Sequence, residues 1–224
     1  SEFPLPSQFD LAYKNSDSIV LEADLPDATD QQGQMAMMQA MMFQNGQTLK
    51  DVLSKEVYEQ VDAYFKGFGG SLDAMAQFKP GMVATIMVGM EAQRNNMAGD
   101  GVDAYFDQLA SKDGKSKEYL ETLDFQLNMF ANMGQGDEDQ MMKTNLEYMP
   151  KFKELLVDMI RAWRQGDDKT LSTLVIDKMK KESPSSFKTV MTDRNHDWIP
   201  KIEAMFGDAD KEFVLVGVGH LVGE

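Results

Sequence analysis

Ser18-Ile19-Val20-Leu21-Glu22-Ala23-Asp24 is a short apolar run, β-branched at its centre, that ends in acid. It reads as a buried strand, and Leu25-Pro26-Asp27 stops it, because proline cannot donate to a sheet ladder. At the far end, Phe213-Val214-Leu215-Val216-Gly217 reads as a second buried strand. Between them the strand signal almost vanishes; only Glu118-Tyr119-Leu120-Glu121 is compatible with another short strand. Strand, many helices, strand is the order of a helix-rich α/β or α+β domain. We expect a single domain over residues 1–224, its small central sheet formed from both chain ends and a long helical insertion over about residues 30–206.

The helical middle is legible in pieces. Gln31–Phe43 has helical spacing, Asn45-Gly46 is a turn, and Thr48 with Asp51 resembles a capping box. Leu53, Val57, Val61, Tyr64 and Phe68 mark one helical face, which Gly67, Gly69 and Gly70 end. Pro80–Arg94 is apolar on most sides. Gly99-Asp100-Gly101 is a turn, and a helix over Val102–Ala110 follows. Leu123–Met133 is another helix. Pro150 interrupts a stripe of Leu146, Met149, Phe152, Leu156, Met159 and Trp163 and marks a kink or restart. Two last helices cover Lys169–Lys181 and Pro184–Phe206.

Composition removes whole classes of function. The chain of 224 residues has no cysteine, so it holds no disulfide, thiolate zinc site or cysteine nucleophile. It has two histidines, His196 and His220, so it cannot supply a three-histidine site by itself. The net charge of −15 repels phosphate backbones and anionic lipid, which argues against nucleic-acid partners. No apolar stretch reaches the ~18–20 residues of a membrane span, so this segment does not insert in a bilayer. Ser1-Glu2-Phe3 reads as a cloning remnant.

Methionine is abundant, at 19 residues, and Met35, Met37, Met38, Met41 and Met42 lie together at helical spacings. Copper(I) favours thioethers, which would make this a copper handler. The plainer reading is an adaptable apolar helix face, or a groove for varied ligands.

Four places carry candidate chemistry. Gly217-Val218-Gly219-His220 follows the last strand, where α/β sheets place ligands, and its glycines let backbone approach a metal or substrate closely. The alternative is a tight turn whose histidine bonds backbone. A dinucleotide fingerprint fits poorly, because the third glycine is misplaced and no helix follows. Glu22 ends the first strand with Asp24 on the same face; it is either a ligand or base, or an ordinary strand-end acid. Arg194 falls in line with the apolar stripe Phe187, Met191, Trp198, Ile202 and Met205. A guanidinium there needs a carboxylate or anionic ligand, unless its stem snorkels. Asn195 and His196 fan to other sides, His196 as a surface or capping residue. Gln126 sits among Leu123, Leu127 and Phe130 with Glu121 just before the helix; the two could orient a catalytic group, or simply face solvent.

Taken in order, these segments resemble the TraB/GumN/Tiki family. Pro4-Leu5-Pro6, Phe9, Ala12-Tyr13, Ser16-Asp17 and Val20-Leu21-Glu22-Ala23-Asp24 resemble the segment after its first Gly-x-x-His motif. Gly101-Val102-Asp103 and Leu120-Glu121-Thr122 with Gln126 resemble its central signature. Arg194-Asn195 resembles its arginine motif, and Gly217–Gly223 its second Gly-x-x-His motif. The resemblance implies a fold related to erythromycin-esterase and haem-binding ChaN-like proteins. It also implies a site of two Gly-x-x-His motifs, a glutamate and an arginine. Animal Tiki members are metal-dependent peptidases, TraB-like members restrain peptide pheromones, and bacterial members are commonly exported.

On that resemblance the chain is expected to be a fragment trimmed at both ends, with the first Gly-x-x-His upstream of Pro4 and more of the fold beyond Glu224. The expected function is a metal-dependent hydrolase, a peptidase, periplasmic or secreted, acting on a peptide or small molecule. Glu22, Arg194 and His220 would be catalytic. His220 and Glu22 would hold a divalent Mn, Co or Zn ion with a partner histidine not in this chain. Glu121, Gln126, Asn195, Gly217 and Gly219 would support them. The alternative is a non-catalytic module binding peptide or haem in a Met-rich helical groove.

Overall fold

A computed structural model describes residues 3–26, 30–99, 101–207 and 209–223. Asp27 and Asp100, assigned above to turns, and Ser1, Glu2 and Glu224 lie outside the described residues. The chain opens with α1 (Ser7–Lys14), β1 (Ser18–Leu21), α2 (Gln31–Ala40), α3 (Leu49–Val52), α4 (Lys55–Lys66) and α5 (Pro80–Arg94). It continues through α6 (Val102–Asp113), β2 (Ser116–Tyr119), α7 (Leu123–Ala131), α8 (Glu138–Tyr148) and α9 (Phe152–Gln165). Short helices α10 (Asp168–Leu171), α11 (Lys178–Glu182) and α12 (Pro184–Phe187) lead to α13 (Asp193–Met205) and β3 (Glu212–Val214). The fold is therefore helix-rich α+β. Among the described residues no helix is long and apolar enough to cross a membrane.

Two compact units divide the chain. The sheet unit comprises Ser1–Asp24, Gly99–Leu123 and Leu156–Glu224; the helical unit comprises Leu25–Ala98 and Asp124–Leu155. In the sheet unit the strand order is β2-β1-β3, with both pairings parallel. All four residues of central β1 are buried, which is why its sequence is an apolar run rather than an alternation.

The sheet is not built from the chain ends alone: β2 comes from mid-chain. Its sequence, Ser116-Lys-Glu-Tyr119, is polar and only half-buried on one face, as an edge strand is, so its signal is weak. It also starts earlier than the pattern at Glu118–Glu121 suggests. Leu120 and Glu121 still follow the ladder, donating to the carbonyls of Leu21 and Glu22 at 2.9 and 2.8 Å.

Side-chain alternation gives the sheet two apolar faces. Ile19, Leu21, Leu215 and Phe213 pack with Tyr13 of α1 and Phe106 and Ala110 of α6. Val20, Leu120, Val214 and Val216 pack on the other side against Trp198, Ile202 and Met205 of α13. Trp198 and Phe106 are essentially buried, and truncating either to alanine removes about 3–5 kcal/mol of packing.

The expected helix over Pro184–Phe206 is divided. A π-helical segment, Lys188–Thr192, joins α12 to α13, and another, Ser172–Asp177, joins α10 to α11. Pro200 lies inside α13; the carbonyl of His196 that it cannot serve sits at an exposed position.

The helical unit has its own core of Leu49, Leu53, Val57, Val61, Phe65, Val83, Met87, Met142 and Met149. The face of α4 drifts from the expected Tyr64 and Phe68 to Phe65, as a 3.6-residue period allows. The Thr48–Asp51 capping box is present, with Thr48 N–H donating to Asp51 at 2.8 Å. Pro150 marks a short 3₁₀ restart between α8 and α9. Helix α2 buries no residue, and Met35 and Met38 are exposed while Met41 is buried.

Candidate functional site

The C-terminal ends of the three strands carry the chemistry. Glu22 stands one residue past β1, and alternation turns it, like Val20, toward α13. Its side chain is 24% exposed. Oε1 accepts from the Gly217 N–H at 2.7 Å and Oε2 from Arg194 Nη2 at 2.6 Å. Glu121 stands beside it past β2. Its buried carboxylate takes the guanidinium in a fork, Nε to Oε2 at 2.9 Å and Nη2 to Oε1 at 2.8 Å. The Trp198 Nε1–H adds a third bond to Oε2 at 3.2 Å.

His220 lies in the 3₁₀ turn Val218–His220 that follows β3. Its Nδ1 is 2.7 Å from Asn195 Oδ1, and its Nε2 is 3.2 Å from Arg194 Nη1. One protonation state satisfies both contacts: Nδ1–H donates to the amide oxygen and the Nε2 lone pair accepts from the guanidinium. Burial, and then the Arg194 charge, push the imidazole down to about 4, against a smaller upward pull from Glu22. The ring is therefore neutral near pH 7. The histidine bonds side chains, not backbone as the plainer sequence reading had it.

Arg194 is the hub. Its side chain is 3% exposed and its five N–H donors are all engaged. Nε serves Glu121; Nη2 serves Glu121 and Glu22; Nη1 serves His220 and the Val190 carbonyl at 3.3 Å. Val190 belongs to the π-helical segment one turn upstream. This arrangement leaves no guanidinium N–H for an oxyanion or substrate carboxylate unless Glu22 or His220 gives way. With two carboxylates, one guanidinium and a neutral imidazole, the cluster carries one net negative charge.

The two motif glycines differ in purpose. Gly217 has φ −56° and ψ 136°, a conformation open to any residue. A Cβ there would lie 3.4 Å from Glu22 Oε1 and 3.8 Å from His220 Cδ2, so the missing side chain leaves both groups uncovered. At Gly219 a Cβ would come within 2.8 Å of Met191 Cε, so a side chain there would have to displace the flexible end of Met191.

Glu22, Glu121, Arg194, Asn195 and His220 thus meet, although they are distant in sequence. Gln126 is buried in α7 of the helical unit and is described with that unit. His196 is exposed on α13. Two residues near the cluster were named from sequence but given no role in the site. Trp198 lay unremarked on the apolar stripe. Asp103 is exposed on the first turn of α6; the protein around its inner side, and then the charge of Glu22, raise its carboxyl above its ordinary value. Its signal was its place in Gly101-Val102-Asp103, the segment that resembles the family's central signature.

The donors Glu22 and His220 fit a divalent ion in type. A carboxylate and a neutral imidazole anchored at Nδ1 are what such ions take, although His220 Nε2 faces Arg194 Nη1 and would have to exchange that contact for the ion. They fall short in number: among the described residues no three His, Cys, Asp or Glu side chains are grouped to hold a metal. The sequence model of the TraB/PrgY/gumN family matches residues 1–224, the whole chain. No curated protein and no solved structure matches it.

Proposed function

Because the chain belongs to the TraB/PrgY/gumN family, we propose that its strand-end cluster serves a metal-dependent hydrolase acting on peptides. The observation that carries this reading is that Glu22 and His220, from opposite ends of the chain, share one guanidinium at 2.6 and 3.2 Å. Their chemistry is that of hydrolysis at a carbonyl. A Mn, Co or Zn ion, held by His220 and Glu22 together with donors beyond these two, would polarise the scissile carbonyl and make water a better nucleophile near neutral pH.

The chain's own residues do the rest. Glu22 keeps an open edge and, where it does not itself ligate the ion, would take a proton from the attacking water as general base. Arg194 supplies a fixed positive charge beside the site and aligns Glu22 with His220; electrostatic pre-organisation of this kind needs no free N–H. Glu121 anchors Arg194, and Asn195 holds the His220 tautomer. Kinship with erythromycin-esterase and ChaN-like folds, and a periplasmic or secreted location, belong to the same proposal.

A peptide pool incubated with the protein, with and without Mn²⁺, Co²⁺ or Zn²⁺, tests the reading by mass spectrometry. Cleavage should require an added ion and fall by about 10²-fold or more in Glu22→Gln and His220→Asn. Cleavage that survives both substitutions, or no cleavage of any peptide, overturns it.

One observation favours a second reading. Helix α2 buries no residue and leaves Met35 64% and Met38 55% exposed. Such a flexible apolar face suits peptide or haem binding without catalysis. Binding of either that survives His220→Ala and is lost in Met35→Ser/Met38→Ser would favour it.

A further inference from the structure

Trp198 is 2% exposed and packs against the sheet face with Val20 and Leu120, which would be enough to explain an ordinary core tryptophan. Three further contacts tie it to the cluster. Its Nε1–H donates to Glu121 Oε2 at 3.2 Å. Its ring lies 4.4 Å from the Arg194 guanidinium carbon. Its ring centroid is also 4.4 Å from that of His220, tilted by 43°.

The helix explains the second contact. Arg194 and Trp198 are four residues apart on α13, so a planar guanidinium on the same face rests on the indole. The first contact is specific to tryptophan. Glu121 Oε2 is shared between the Arg194 Nε–H and the indole N–H, so the carboxylate plane is held from two directions. A guanidinium locked against that plane has its remaining donors aimed. Nη2 then reaches Glu22 and Nη1 reaches His220. Phenylalanine or leucine would also be apolar core residues here, but neither donates to Glu121.

We propose that Trp198 is a positioning residue of the site: its indole fixes Glu121 and Arg194 in the one mutual orientation that presents the guanidinium to both Glu22 and His220. This rests on reading those residues as the site, and not on the hydrolytic reaction assigned to them. The same contact hands His220 a flat apolar neighbour, so the ring is held by Asn195 at Nδ1, Arg194 at Nε2 and the indole alongside.

The test is nitrogen-15 NMR in a His196→Gln background, which leaves His220 as the sole histidine. The parent should show a single Nδ1–H tautomer for His220 and one slowly exchanging arginine Nε–H, that of Arg194. In Trp198→Phe the ring stays and the donor goes; the Arg194 Nε–H should exchange at least about tenfold faster, since a tenfold change matches the loss of one hydrogen bond of about 1.4 kcal/mol. In Trp198→Leu the His220 tautomers should also mix. Ile202→Ala, which thins the same core cluster and removes no hydrogen-bonding group, should leave both signatures intact. Parent-like signatures in Trp198→Phe, or equal loosening in Ile202→Ala, would overturn the proposal and make Trp198 packing alone. If Trp198→Leu fails to fold, the Phe variant decides. Failure of peptide cleavage with these signatures intact would sink the hydrolase reading and leave this one standing.

Discussion

At His220 the fold works against protonation, and this has a consequence for stability. An imidazole in the unfolded chain titrates near 6.5, while in the folded protein it is held down to about 4. Between those values the unfolded state takes up a proton that the folded state refuses. The contribution is whole above about pH 6.5 and is lost as the pH falls toward 4. Urea unfolding at about pH 7 and about pH 4.5 should therefore differ less in His220→Asn than in the parent; an equal drop in both would show that the residue carries none of the acid sensitivity. Gly217 offers a second test on one residue. Its backbone suits alanine, and the added methyl meets Glu22 and His220 at ordinary contact distances. Gly217→Ala should hold stability level or raise it by about 0.4–1 kcal/mol, because it narrows the unfolded ensemble. The same methyl covers the approach to both groups, so peptide cleavage should fall. A variant that loses stability, or one that cleaves as the parent does, contradicts the argument that this glycine is there for access.

The elements around the site differ in how openly the sequence displays them. Central β1 was legible because burial on both faces demands an unbroken apolar run. Arg194 was legible because a charge in register with Phe187, Met191 and Trp198 has to be buried or snorkelled, and it is buried. Edge strand β2 was half-hidden, since its polar residues are satisfied by solvent on one side. The π-helical segments were invisible: a one-residue widening of a helix leaves apolar spacing almost unchanged. The role of Trp198 was hidden for a different reason, because an indole on an apolar stripe looks the same whether or not its N–H has a partner. The π segments nonetheless matter to the site. The turn carrying His220 lies on them, with Gly219 against Met191 and Val175, and Gly223 against Ile176. Gly223 has φ +95°, and a Cβ there would come within 2.8 Å of the branched Ile176 side chain. At Gly219 the obstacle is the flexible end of Met191. Gly223→Ala should therefore cost about 1–3 kcal/mol in denaturant unfolding, and Gly219→Ala less, as Met191 swings away. The reverse order would mean that the turn is not seated on these segments as described.

For the molecule as a whole, long-range assembly is the governing fact. The three strands begin at residues 18, 116 and 212, so no sheet forms until distant parts of the chain meet. The cluster inherits that dependence, since its members are drawn from all three strand ends and α13. The helical unit rests on a separate set of contacts, in which Val61, Phe65 and Met87 are fully buried among neighbours from α3, α4, α5 and α8. Two cores built from different residues respond differently to the same injury. Val20 is 1% exposed at the middle of β1 and packs with Leu120 and Trp198, so a carboxylate placed there is buried among apolar side chains. Val20→Asp should cost several kcal/mol and dismantle the sheet unit. The Arg194 Nε–H protection and the His220 tautomer should vanish with it. Amides of Val61, Phe65 and Met87 should keep most of their hydrogen-exchange protection, because their core contains none of the displaced strands. Loss of protection at all three sites together with the sheet would show that the two cores fold as one cooperative unit, and the site's stability would then have to be reckoned from the whole chain.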